Sequence, residues 1–152
     1  LLASACGKNG MVYGQFLDIE SESKSLDKES IENIHALKTG KLIECSVMYG
    51  QIGNPEKNVK KVLKSYAKKI GLAFQIKDDI LEVTSNKETL GKNTNSDQKN
   101  HKSTYANILG IDKAKEKTKS LSQDAIADLE TLCSNKVNML IELAKYIAYR
   151  EK

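Results

Sequence analysis

Tryptophan is missing from this chain, proline occurs once (Pro55) and histidine twice (His35, His101). With so few breakers, long helices can run uninterrupted, and no segment shows the alternation or turn signals of a β-hairpin. Of the two histidines only His35 has a Glu three residues before it, and a di-iron site is built on two Glu-x-x-His motifs, so that site is excluded. Cys6, Cys45 and Cys133 are odd in number and widely spaced, which fits neither a disulfide framework nor a zinc site and is the pattern of a reducing cytosol. No apolar run approaches the ~18 residues of a membrane span, and no basic-then-apolar signal segment opens the chain. No nucleophile elbow, Walker loop or dinucleotide fingerprint is present. The 24 basic and 20 acidic residues leave a net charge of +4, too small and too scattered to point to nucleic acid.

What is present is the composition of a soluble helical protein of 152 residues, enough for one domain. Leu1 to about Leu17 reads as one helix, and Gly7, Gly10 and Gly14 within it call for the close approach of another helix or a ligand. Gln15 and Asp18 are an i,i+3 polar pair at its end, before a turn-like stretch from Ile19 to Ser25. Asp27 is placed to cap a second helix, interrupted at Lys38-Thr39-Gly40 and ended by Gly50 and Gly53. Asn54 as cap and Pro55 at the first helical position predict the start of a third. Its apolar stripe runs Val59, Leu63, Tyr66, Ile70, Phe74, Leu81, with Lys77 unaccountably near the middle. An end is expected near Thr84-Ser85-Asn86, followed by a seventeen-residue polar loop, 85–101. A short helix from Lys102 to Gly110, one capped by Asp112 and running to about Cys133, and a terminal helix through Val137 to Ile147 complete an all-α chain.

The chemistry concentrates at Asp78, Asp79 and Glu82, late in the third helix. Gln75, Asp78 and Glu82 fall within roughly 60° of one another on the helix. Repelling carboxylates near a helix C-terminus are unfavourable, and a divalent cation would offset that. A solvated acidic face is the plainer reading. Lysines beside glycines, at Lys38-Thr39-Gly40 and Gly91-Lys92, would suit a metal–phosphate site, although Lys92 could be simply solvated, Lys38-Thr39-Gly40 a helix kink, Gly91 a turn, and Gln15 and Asp18 a helix end.

Taken in order, Gly10 to Glu20 (GMVYGQFLDIE), Lys38-Thr39-Gly40, Phe74 to Thr84 (FQIKDDILEVT), Leu90-Gly91-Lys92 with Asp97-Gln98, and Lys102 to Tyr105 (KSTY) resemble the C-terminal half of the trans-isoprenyl diphosphate synthases, or polyprenyl synthetases. Within that family they most resemble the bacterial farnesyl diphosphate synthases. The resemblance implies the C-terminal part of an isoprenoid-synthase helical bundle around a central cavity, with residues 1–152 as half of one domain. It implies Mg²⁺ held by Asp78, Asp79 and Glu82, the last standing where the family pattern has Asp. It gives Lys38 and Lys92 to the allylic diphosphate and Lys102 to the diphosphate end. Thr39 and Gln75 face the developing allylic cation, and Gln15 and Asp18 lie at the cavity wall. The implied enzyme is a cytoplasmic homodimer that condenses allylic diphosphates with isopentenyl diphosphate to farnesyl diphosphate. Geranylgeranyl diphosphate synthesis and a non-catalytic helical partner subunit are the alternatives. The family's first aspartate-rich motif and its isopentenyl diphosphate segment have no counterpart here, so the chain is expected to be half of an enzyme, inactive alone.

Overall fold

The computed structural model describes residues 1–22, 24–53, 55–90 and 104–151, the side chains of 85–90 excepted. Among the described residues every regular element is helical, as expected for an all-α chain. The elements are α1 (Leu2–Cys6), α2 (Met11–Glu20), α3 (Lys28–His35), a π-helical turn (Ala36–Gly40), α4 (Lys41–Tyr49), α5 (Lys57–Leu90), α6 (Tyr105–Leu109), α7 (Ile111–Glu130), a short 3-10 turn (Asn135–Val137) and α8 (Asn138–Tyr149).

The organising element is α5, 34 residues and so about 50 Å of helix. Tyr66, Ala67, Ile70, Ala73, Ile76 and Ile80 form its buried face, and Ala114, Leu121, Ala125 and Leu129 of α7 belong to the same core. The alanines let two helices lie close enough for the larger side chains to interdigitate. Tyr66 donates its hydroxyl to the carbonyl of Leu140 at 2.8 Å, tying α5 to α8. At the edge, Lys69 of α5 pairs with Asp128 of α7 at 2.6 Å. Burial raises the Asp128 pKa, but hydrogen bonds from Lys69 and Ser65 with the Lys69 charge outweigh it and leave the carboxyl below its usual range.

Several local expectations hold. Asp27 caps α3, accepting from the Ser30 N–H at 2.8 Å, α4 stops at Gly50, and α6 stops at Gly110. Others are corrected. The first helix is two, because the chain turns at Gly7–Gly10, and α2 continues through Ile19 and Glu20. Helix α5 begins at Lys57, two residues past Pro55, while Asn54 lies outside the described residues. It does not end at Thr84 to Asn86 but runs to Leu90. Thr84 is compatible with helix because its hydroxyl bonds back to the carbonyls of Ile80 and Leu81, at 2.9 and 3.1 Å. The expected loop therefore loses residues 85–90 to the helix, and its remainder is outside the described residues. Asp112 lies in the first turn of α7 rather than capping it.

Candidate functional site

The interruption read at Lys38-Thr39-Gly40 is a full π-helical turn, an irregularity that frequently marks functional sites. Two close approaches set it in place. Gly14 of α2 is buried, and a Cβ there would lie 2.3 Å from the Lys38 backbone nitrogen. A Cβ on Gly71 of α5 would come within 3.2 Å of the Gly40 Cα. The turn is thus gripped between α2 and α5, and its side chains enter the space between them.

That space is a cleft of about 240 Å³, bounded by Asp18 and Ser21, by Ile31, Ile34 and His35 of α3, by Lys38 and Thr39, and by Gln75, Asp78, Asp79 and Glu82 of α5. Lys38 Nζ donates to Asp18 Oδ2 at 2.7 Å, which holds the ammonium at the mouth between α2 and α5. Gln75 Nε2 reaches Asp78 Oδ2 at 3.5 Å, a contact at the limit of a hydrogen bond. The other oxygen of Asp78, Oδ1, accepts from the Arg150 guanidinium just beyond the end of α8. Arg150 also stacks over the Phe74 ring, 4.4 Å from its centroid, which adds a cation–π contact to the ion pair. Asp79 lines the same cleft but is held by other elements. Its Oδ2 accepts from the Tyr105 N–H at 2.7 Å and lies 3.8 Å from His35 Nε2. Tyr105 is buried and donates its hydroxyl to Glu32 Oε1 at 2.9 Å. Burial first, then the hydrogen bond and charge of Glu32, push the phenol well above its usual pKa. Together Tyr105, Asp79 and Glu32 stitch α6, α5 and α3 to one another.

The structure therefore brings together Asp18, Lys38, Thr39, Gln75, Asp78, Asp79 and Glu82 of the expected set. Gln15 is exposed on α2 and does not line the cleft, since its neighbour Gly14 occupies the side pressed on the π turn. Lys92 and Lys102 lie outside the described residues. Sequence reasoning missed Arg150, His35, Glu32 and Tyr105 as site residues. Arg150 carried a signal: it is the sole arginine among 24 basic residues, and arginine is the cation suited to a fixed carboxylate pair. Among the described residues no three acidic, histidine or cysteine side chains converge as a metal cage. The oxygen-only donors Asp78, Asp79 and Glu82, which all line the cleft, fit Mg²⁺ nonetheless, because that ion takes carboxylate oxygens and completes its shell with water and phosphate.

Helices alone, with a lysine and carboxylates converging on one cleft, define an all-α protein whose site is built between helices. The model of one family, polyprenyl synthetase, matches residues 3–144, and the chain belongs to that family. It is 42% identical over 155 residues to farnesyl diphosphate synthase of Escherichia coli (strain K12), across 99% of this chain and 52% of that protein. It is 43% identical over 152 residues to the chloroplastic geranylgeranyl pyrophosphate synthase of Capsicum annuum, across 99% of this chain and 41% of that one. Among solved structures, the geranyltransferase of Helicobacter pylori complexed with magnesium and isoprenyl diphosphate superposes with a TM-score of 0.75 at 32% identity, over 96% of this chain and 48% of that chain. The chain spans about half the length of the curated relatives it matches.

Proposed function

We propose that these residues form the C-terminal half of a Mg²⁺-dependent prenyltransferase that joins an allylic diphosphate to isopentenyl diphosphate, giving farnesyl diphosphate. The observation that carries the reading is the cleft itself. Lys38 and Thr39 on one side and Gln75, Asp78 and Glu82 on the other face a common space, in a chain of the polyprenyl synthetase family. Lys38 would hold the allylic diphosphate, joined by Lys92 and Lys102. The C–O bond breaks and the diphosphate departs with the electron pair. Mg²⁺, when bound through Asp78, Asp79 and Glu82, would supply positive charge to that leaving group. The oxygens of Thr39 and Gln75 face the allylic cation as it forms. The double bond of isopentenyl diphosphate attacks the cation, and loss of a proton leaves a lengthened allylic diphosphate. Leu26, Ile31 and Ile34 on the cleft wall help to exclude water, which would otherwise quench the cation.

The partner half would bring the first aspartate-rich motif and the isopentenyl diphosphate site, so the chain alone is inactive in this reading. The exposed apolar side chains Val12, Phe16 and Ile19 on α2 support a surface covered in the complete protein. Among the described residues no helix is long and apolar enough to cross a membrane, and a cytoplasmic homodimer completes the reading. Geranylgeranyl diphosphate is the second candidate product, favoured by the relative of that name at nearly the same identity. Mass spectrometry of the product made by the complete protein from geranyl and isopentenyl diphosphates tests this. Farnesyl diphosphate as the terminal product is expected, and accumulation of a longer chain would transfer the assignment to the second candidate.

A further inference from the structure

Lys77 stands in the middle of the buried stripe of α5, where an apolar residue is expected, and the acidic cleft makes no use of it. It lines a second cleft, of about 480 Å³, between α5, α7 and the end of α8. Four basic residues gather there: Lys77, Lys115, Lys119 and Arg150. Glu151 is the one acidic residue lining this cleft among the described residues. The hydroxyls of Thr84 and Thr118 on its wall are already committed to backbone carbonyls.

The same α5–α7 seam solves a like problem differently two turns earlier. There Lys69 meets a carboxylate, Asp128, at 2.6 Å. At Lys77 the facing residues of α7 are lysines instead. Among the described residues none of Lys77, Lys115 and Lys119 makes an ion pair. Lys119 leans over the Tyr149 ring, 5.9 Å from its centroid. A half-buried ammonium that shares a cleft with two further lysines and a single carboxylate, Glu151, is unfavourable for the fold, and a bound anion would offset both burial and repulsion.

We propose that Lys77, Lys115 and Lys119, with Arg150 at their edge where it pairs with Asp78, form an anion site for a free phosphate or diphosphate ion, distinct from the acidic cleft. A multivalent anion matches several point charges around one space better than a single carboxylate does. The ion would lie between α7 and the end of α8, against Lys77 at its base. This site does not depend on the proposed reaction, because it needs no Mg²⁺. Omitting Mg²⁺ separates the two clefts: the carboxylates Asp18, Asp78, Asp79 and Glu82 then repel an anion from the first.

The test is titration of the ¹⁵N-labelled complete protein with inorganic diphosphate, without Mg²⁺, followed by NMR. Saturable shifts centred on Lys77, Lys115, Lys119 and Tyr149 are expected. Lys77→Gln should weaken the affinity about tenfold and the exposed Lys115→Gln about threefold, in line with lost charge-assisted contacts. Lys115→Gln covers the possibility that the half-buried position does not tolerate change, since Lys115 is exposed on α7. Shifts centred on Lys38 to Gly40, absence of saturation, or unchanged affinity in both variants would overturn the proposal. The first of these would leave the reading of the acidic cleft standing.

Discussion

The two faces of α5 obey opposite rules. On one, Tyr66, Ala67, Ile70, Ala73, Ile76 and Ile80 are almost inaccessible to solvent and form one core with α7. On the other, Gln75, Asp78, Asp79 and Glu82 border a cleft. At ~100° per residue the two sets are roughly opposite one another. The buried face gains from many weak contacts, any one of which is replaceable by a shape that fills the same space. The two aspartates of the cleft face depend on particular partners from different elements: Asp78 on Arg150, Asp79 on Tyr105 and His35. Substitutions on the first face should therefore change stability, and those on the second should change chemistry.

The largest expected loss of stability comes from the dry seam. Leu129 is fully buried in α7, and Leu129→Ala should lower the unfolding free energy by about 2–5 kcal/mol, read by urea denaturation. A loss under about 1 kcal/mol would mean that the seam is not packed as described.

Next comes an alkaline transition. Burial of Tyr66 raises its pKa from 10.0 to about 12. The folded chain thus holds this proton more tightly than the unfolded chain. The stability is fully present below pH 10 and is lost as pH rises toward 12, by about 2–3 kcal/mol. Tyr66→Phe should flatten that part of the pH–stability curve, at the expense of about 1 kcal/mol near neutrality for the lost bond to Leu140. An unchanged curve would count against a buried hydroxyl.

A smaller effect probes the boundary between the faces. Gly14→Ala forces a methyl group against the Lys38 backbone, and should destabilise the chain by about 1–3 kcal/mol. It should also displace the Lys38 amide signal in an NMR spectrum. If both stay put, α2 does not grip the π turn.

Much of this comparison was legible in the sequence, and for a physical reason. The buried stripe and the carboxylates obey helical periodicity, which reads directly from spacing, so Tyr66, Ile70, Asp78 and Glu82 could be placed on α5 in advance. Lys38-Thr39-Gly40 showed as an interruption, but nothing local specifies that it is a π turn rather than a kink. That outcome depends on Gly14 and Gly71, which are distant in the chain. The partners on the cleft face were hidden for the same reason. Arg150 is 72 positions from Asp78, and Tyr105 is 73 positions from Glu32. His35 was set aside because it is distant in sequence from the acidic cluster of α5, yet Asp79 is 3.8 Å away in space. Lys77 was visible as an anomaly in the stripe, and only the arrival of Lys115, Lys119 and Arg150 around it gives it a context.

The contrast between the faces is tested most directly by Asp78→Asn in the complete protein, which keeps the side chain's shape and an oxygen for Arg150 while removing its charge. Turnover of allylic and isopentenyl diphosphates should fall by about 10²–10³-fold, with the thermal midpoint moving only a few degrees. Near-normal turnover, or unfolding in place of inactivation, would contradict the assignment of Asp78 to a metal–diphosphate site.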